Sequence, residues 1–104
     1  MSQWIEACGV DDVDEEDVIP VDLNGKPYSV YRSPDGRFYA TDGLCTHEHV
    51  RLADGLVMDH IIECPKHNGR FDYRTGKGQG APICEDLRTY VVKVEDGRVF
   101  VDVG

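Results

Sequence analysis

Two stretches, CTHEHV at residues 45–50 and CPKHNG at residues 64–69, decide the fold of this chain. Each pairs a thiol with an imidazole in a segment that also carries turn-forming residues. Cys45 and His47 form a Cys-x-His pair, and Cys64 and His67 form Cys-x-x-His, with sixteen residues between the pairs. One such pair arises easily by chance. Two pairs in the same order, each in a loop, point to a metal centre held by two thiolates and two imidazoles.

Two centres accept that ligand set. Zinc takes Cys₂His₂ in tetrahedral geometry, but its usual spacing groups cysteine with cysteine and histidine with histidine. A [2Fe–2S] cluster with two Cys on one iron and two His on the other suits mixed pairs, because each loop can send its Cys to one iron and its His to the other. The mixed pairs favour the cluster. A zinc-stapled interaction module remains the alternative.

Outward from these loops the chain reads as strands and tight turns. VIPVDLNGKPYSVYR alternates around Asn24-Gly25, YRSPDGRFYAT around Pro34-Asp35-Gly36, and RTYVVKVEDGRVFVDV around Asp96-Gly97, which predicts three hairpins. In the last, the alternation about Val92 and Val94 predicts a mainly apolar face. GLVMDHIIECP and GRFDYRTGKG read as short strands. Helix signals are weak, confined to EEDVI at 15–19 and a turn around 50–53. The segment from about 43 to 83 holds all four histidines, two of the four cysteines and six of the eleven glycines, so it reads as a site-bearing insertion between β-rich flanks.

The whole chain is 104 residues, enough for one small domain whose core a bound metal centre would help stabilise. Its formal net charge of -9 speaks against nucleic acid and anionic membranes as partners and suits attraction to a basic protein surface. The acidic run DDVDEED, residues 11–17, reads as a solvated loop, with a docking patch as the sharper alternative. No stretch approaches the roughly 20 apolar residues of a spanning helix. MSQWIEACGV has neither the basic start nor the apolar run of a secretory leader, so the cytoplasm is the expected compartment. There, cysteines suggest metal ligands or thiols before disulfides; Cys8 and Cys84 read as thiols in or near the β base.

CTH at 45–47 with CPKH at 64–67 resembles the Rieske iron–sulfur motif, and the similarity covers nearly the whole chain. In length and layout it is closest to Rieske-type ferredoxins, the small electron carriers of bacterial multicomponent oxygenases. The resemblance implies an all-β Rieske fold: an antiparallel β-sandwich or barrel base (about 1–42 and 84–104) with a small inserted cluster-binding subdomain (about 43–83). It implies one [2Fe–2S] cluster per chain, Cys45 and Cys64 on the buried iron, His47 and His67 on the outer iron, and Pro82 in a third loop over the cluster. It further implies a monomeric carrier of one electron from an NAD(P)H-dependent flavoprotein reductase to a terminal Rieske non-haem iron oxygenase, not itself an enzyme. A cluster-free reductase subunit of the same fold is the runner-up, against which the intact ligand set argues.

The respiratory branch of that family adds a disulfide-forming cysteine to each loop and hydroxyl donors after the second. Neither loop here has the extra cysteine, and Gly69 and Phe71 stand where the hydroxyls would be. Fewer hydrogen bonds to the cluster imply a potential at the low end of the Rieske range, on the order of −150 mV. Neutral imidazole ligands still leave the oxidised centre uncharged, which makes it easier to reduce than a four-thiolate cluster. Outside this set, Glu48, His49, Asp59 and His60 do not make a second iron site in so short a chain; His49 reads as a loop residue and His60 as a turn residue. Lys66 and Arg70 place positive charge beside the second loop. Trp4, Tyr28, Tyr31, Phe38, Tyr39 and Phe100 read as packing residues.

Overall fold

The computed structural model describes residues 2–46, 50–66, 68–80 and 85–104; His47, Glu48, His49, His67, Pro82 and Cys84, all singled out above, lie outside the described residues. The fold is all-β and antiparallel. Asn24 and Gly25 both adopt positive φ (54° and 80°), and so do Asp96 and Gly97 (51° and 74°). That is the backbone of the two-residue turns whose twist matches the flanking strands. The first turn pairs β2 (Asp17–Leu23) with β3 (Lys26–Arg32), and the second pairs β10 (Val92–Glu95) with β11 (Arg98–Asp102). β4 (Phe38–Asp42) returns along β3 after the Pro34-Asp35-Gly36 turn.

Three sheets result. One has the order β1-β11-β10, where β1 is Trp4–Gly9; the second has the order β2-β3-β4-β9, where β9 is Thr89–Tyr90. The third is a meander of β5 (Leu56–Met58), β6 (Ile61–Glu63), β7 (Arg70–Asp72) and β8 (Lys77–Gly78).

Strand periodicity explains how β3 serves two cores at once. Tyr28 and Val30 join one buried cluster with Cys8, Val13, Val99 and Val101. Tyr31 points into the other, with Cys45, Leu52, Ile62, Cys64, Phe71 and Tyr73. The middle sheet therefore has an apolar layer on each face, and four consecutive residues of β3 are buried. Across the second core, the Tyr31 and Tyr73 rings lie 4.5 Å apart and 4° from parallel. Their hydroxyls are satisfied: Tyr31 shares a 2.8 Å hydrogen bond with Thr41, and Tyr73 donates to the Asp59 carbonyl at 2.7 Å. Such aromatic pairs add stability beyond their buried area.

The last apolar stretch departs from the single hairpin read from the sequence. Thr89–Tyr90 pairs with β4 and Val92–Glu95 with β11, so the chain changes sheets at Val91. At the crossing the chain turns outward, with Val91 66% exposed; Val94, paired within β10, is also 47% exposed, so the face expected to be apolar about Val92 and Val94 is partly open to solvent. EEDVI forms no helical turn either. Short 3₁₀ turns sit instead at Val10–Asp12 and Leu52–Asp54, the second close to the expected place. The acidic run is partly structural. Asp12 accepts the Gly9 N–H, Asp17 the Val18 N–H, and Glu16 the Asp59 N–H at 2.7 Å, which ties the base to the meander.

The turn from β7 to β8 is fixed by Asp72. Its carbonyl accepts from Thr75 and Gly76, and its carboxylate takes a paired contact from the Arg74 guanidinium (3.1 and 2.8 Å). That contact holds the Asp72 carboxyl below the usual carboxylate range. Gly76 closes the turn at φ +81°, and a Cβ there would lie 2.0 Å from the Leu87 carbonyl. Gly76→Ala is therefore expected to cost about 2–4 kcal/mol, from strain at positive φ plus the clash. Chemical denaturation checks this; an unchanged midpoint would contradict it.

Candidate metal centre

The two sequence segments fold into equivalent hairpins. In the first, Leu44 bridges Arg51, and the Cys45 N–H donates to the Val50 carbonyl at 2.9 Å. In the second, Glu63 pairs with Arg70, and the Cys64 N–H donates to the Gly69 carbonyl at 2.6 Å. Each cysteine thus opens a six-residue tip and closes it through the carbonyl five positions on. His47 is the third residue of the first tip and His67 the fourth of the second. Asn68 adopts φ 55°, a left-handed conformation that asparagine tolerates better than most residues, so the second tip can turn back on itself.

The hairpins are seated on the middle sheet and the meander. Gly43 precedes the first, and a Cβ there would come within 2.9 Å of the β3 backbone at Pro27 and Tyr28. Its N–H donates to the Pro27 carbonyl, while Leu52 returns an N–H to the Gly43 carbonyl. The second hairpin is the β6–β7 connection itself.

Cys45 is 0% exposed and Cys64 1%, and both belong to the core cluster that includes Leu52, Ile62 and Phe71. Cys8, by contrast, lies in the other core, and burial raises its thiol pKa. The structure thus brings the two predicted cysteine ligands into one water-poor environment and keeps the third described cysteine away. His60 takes its place in the β5–β6 turn, with Nδ1 3.3 Å from Asp59 Oδ1.

A third loop lies between the two hairpins in its connections. It is closed at its base where Leu87 donates to the Gly76 carbonyl and Gly78 to the Asp86 carboxylate. At its start, Gln79 donates to the Arg70 carbonyl of the second hairpin (2.9 Å). At its end, the Glu85 carbonyl accepts from the Thr46 hydroxyl of the first (2.9 Å). Sequence reading missed these ties, which run largely through main-chain atoms. The equal spacing of Leu44 to Arg51 and Glu63 to Arg70 signals the two hairpins but not their joins to the third loop. Arg70 is also less free than the sequence suggests: its guanidinium pairs with Glu63 at 2.9 Å, while Lys66 is exposed.

Two soft sulfur donors, buried together, with an imidazole in each closed tip by sequence, fit a two-iron cluster of mixed ligation. Residues 3–91 match the Rieske [2Fe-2S] domain, and the chain belongs to that family. A Rieske [2Fe–2S] cluster is accordingly its cofactor. The chain is 47% identical over 98 residues to the ferredoxin component of the naphthalene 1,2-dioxygenase/salicylate 5-hydroxylase systems of a Ralstonia species, covering 94% of this chain and 93% of that one. Among solved structures, it is similar to the Sphingomonas yanoikuyae B1 ferredoxin, with TM-score 0.91 and 36% identity over 98% of this chain and 100% of that one. It is also similar to a chain of the complex of reduced oxygenase and oxidised ferredoxin in carbazole 1,9a-dioxygenase, with TM-score 0.89 and 35% identity, covering 95% and 92%.

Replacing either Cys45 or Cys64 with Ser is expected to remove essentially all cluster from the purified protein, since each substitution deletes a thiol and the described residues offer no buried cysteine beyond these two in the same core. A Rieske-type EPR signal of wild-type intensity in either variant would exclude that residue as a ligand.

Proposed function

We propose that this protein is the ferredoxin component of a multicomponent aromatic oxygenase system. It carries one electron between proteins and does not itself catalyse oxygenation. Cys45 and Cys64 hold the buried iron, and His47 and His67 the outer iron; residues about 43–83 form the cluster-binding part, on a base of about 1–42 and 84–104. The observation that carries this reading is the pair of buried cysteines, each opening a closed tip of the same length that also contains a histidine. The bound cluster supplies a one-electron couple; the protein supplies the ligands, their fixed spacing and the exclusion of water.

The donor is an NAD(P)H-dependent flavoprotein reductase and the acceptor a terminal Rieske non-haem iron oxygenase. The similarity to a chain of an oxygenase–ferredoxin complex supports the second partner. A carrier that must leave each partner uses small contacts, which suits a cytoplasmic monomer. Among the described residues no helix is long and apolar enough to cross a membrane. Phe71, buried and without a hydrogen-bond donor on its side chain, together with Gly69, supports a potential on the order of −150 mV.

Iron and acid-labile sulfide analysis of the purified protein tests the assignment. About two of each per chain, with a Rieske EPR signal after reduction, is the expected result; a colourless protein containing zinc would overturn it. A second expectation concerns charge. With a net charge of -9 steering it to basic partner surfaces, electron transfer to the oxygenase should slow severalfold as salt is raised, because exposed charges are screened beyond about 8 Å at physiological ionic strength. Stopped-flow rates that stay flat from low to moderate salt would show that the charge does not steer docking.

A further inference from the structure

Thr46 lies between Cys45 and His47, and its side chain reaches across the molecule. Its hydroxyl donates to the carbonyl of Glu85, 39 residues away, at 2.9 Å. A threonine in a loop more often bonds to its own backbone neighbourhood. Here the bond is the one side-chain hydrogen bond by which the described part of the first tip reaches any other element. The second hairpin is joined to the third loop differently, through the main-chain bond from Gln79 to Arg70, which continues the β7–β8 ladder. The third loop therefore joins both ligand hairpins, and among the described residues the join to the first runs through a side chain.

A cleft of about 330 Å³ lies beside that join. Lys26 and Asp42, 3.2 Å apart, line one part of it, and Cys45, Thr46 and Glu85 line another. Cys45 lines this cleft and is still fully buried, so the approach to it is closed. Separation of Thr46 from Glu85 would detach the first tip from the third loop and open this approach.

We infer that Thr46 is a positioning residue whose hydroxyl straps the first ligand loop to the third loop and restricts water entry to Cys45 through the adjacent cleft. The inference rests on the proposed role of these loops in holding the cluster. Local opening of a loop is governed by the bonds that must break, and one ordinary hydrogen bond changes such an opening equilibrium by about two- to tenfold. Val keeps the shape of Thr and removes the donor; Ser keeps the donor and removes a methyl group.

The test compares wild type, Thr46→Val and Thr46→Ser as purified holoproteins. It follows the loss of visible cluster absorbance in aerated buffer containing an iron chelator. Thr46→Val should lose its cluster about two- to tenfold faster than wild type, whereas Thr46→Ser should stay within about twofold of it. Recovery of Thr46→Val without cluster, while Thr46→Ser assembles normally, would equally assign the role to the hydroxyl. A Thr46→Val half-life equal to wild type, or a Thr46→Ser as labile as Thr46→Val, would overturn the inference. These outcomes are distinct from a wild-type protein that holds no [2Fe–2S] cluster, which would overturn the functional reading itself.

Discussion

The hydrogen bond from each of Cys45 and Cys64 to the carbonyl five residues later is the constraint on which the proposed site depends. It fixes the cysteine as the first residue of a closed tip, at the point where strand-like pairing ends. The sulfur-bearing residue can then stay in the core with its backbone N–H satisfied. A loop without that closure would have to choose between burying its backbone, at the cost of unsatisfied polar groups, and exposing its cysteine to water. Two such tips, one on the middle sheet and one on the meander, place a cysteine from each in a single cluster of apolar side chains.

The seating of the tips follows from β3. Because alternate residues face opposite sides, the strand packs Val30 into the base core and Tyr31 against the meander. The near-parallel Tyr31–Tyr73 pair is thus a direct contact between the sheet that carries the first tip and the meander that carries the second. Glu16 adds a polar tie between the same two parts at the Asp59 turn. A shift of the meander against the middle sheet would break both contacts, so the spacing of the two cysteines depends on packing elsewhere in the same core.

Much of this was legible in the sequence, and the reasons are local. Asn24-Gly25 and Asp96-Gly97 announce turns because few other residue pairs take positive φ twice in succession. Cys45, His47, Cys64 and His67 raise the expectation of a metal centre because the same Cys-then-His order occurs twice. The resemblance they carry led to the family that residues 3–91 match. What was not legible is long-range. The sheet change at Val91 leaves no mark in RTYVVKV, because both halves have the same strand-like pattern. Pairing of Arg70 with Glu63 required the β6–β7 register. The acidic run looked uniformly solvated because its composition does not reveal which carboxylates receive backbone N–H groups.

The third loop resolves a conflict that any small electron carrier faces. Its centre must lie close enough to the surface for a partner to approach, yet buried thiolate ligation requires that water be kept away. In a chain of 104 residues no thick layer of protein can do both. The solution is three short loops, each closed at its base, with the third bonded to the other two at its opposite ends. Each tie is an ordinary hydrogen bond of modest net strength, but opening any one loop disturbs its neighbour's contacts as well. The base of each described loop is therefore held by its connection to a neighbour as well as by the burial of Cys45 and Cys64.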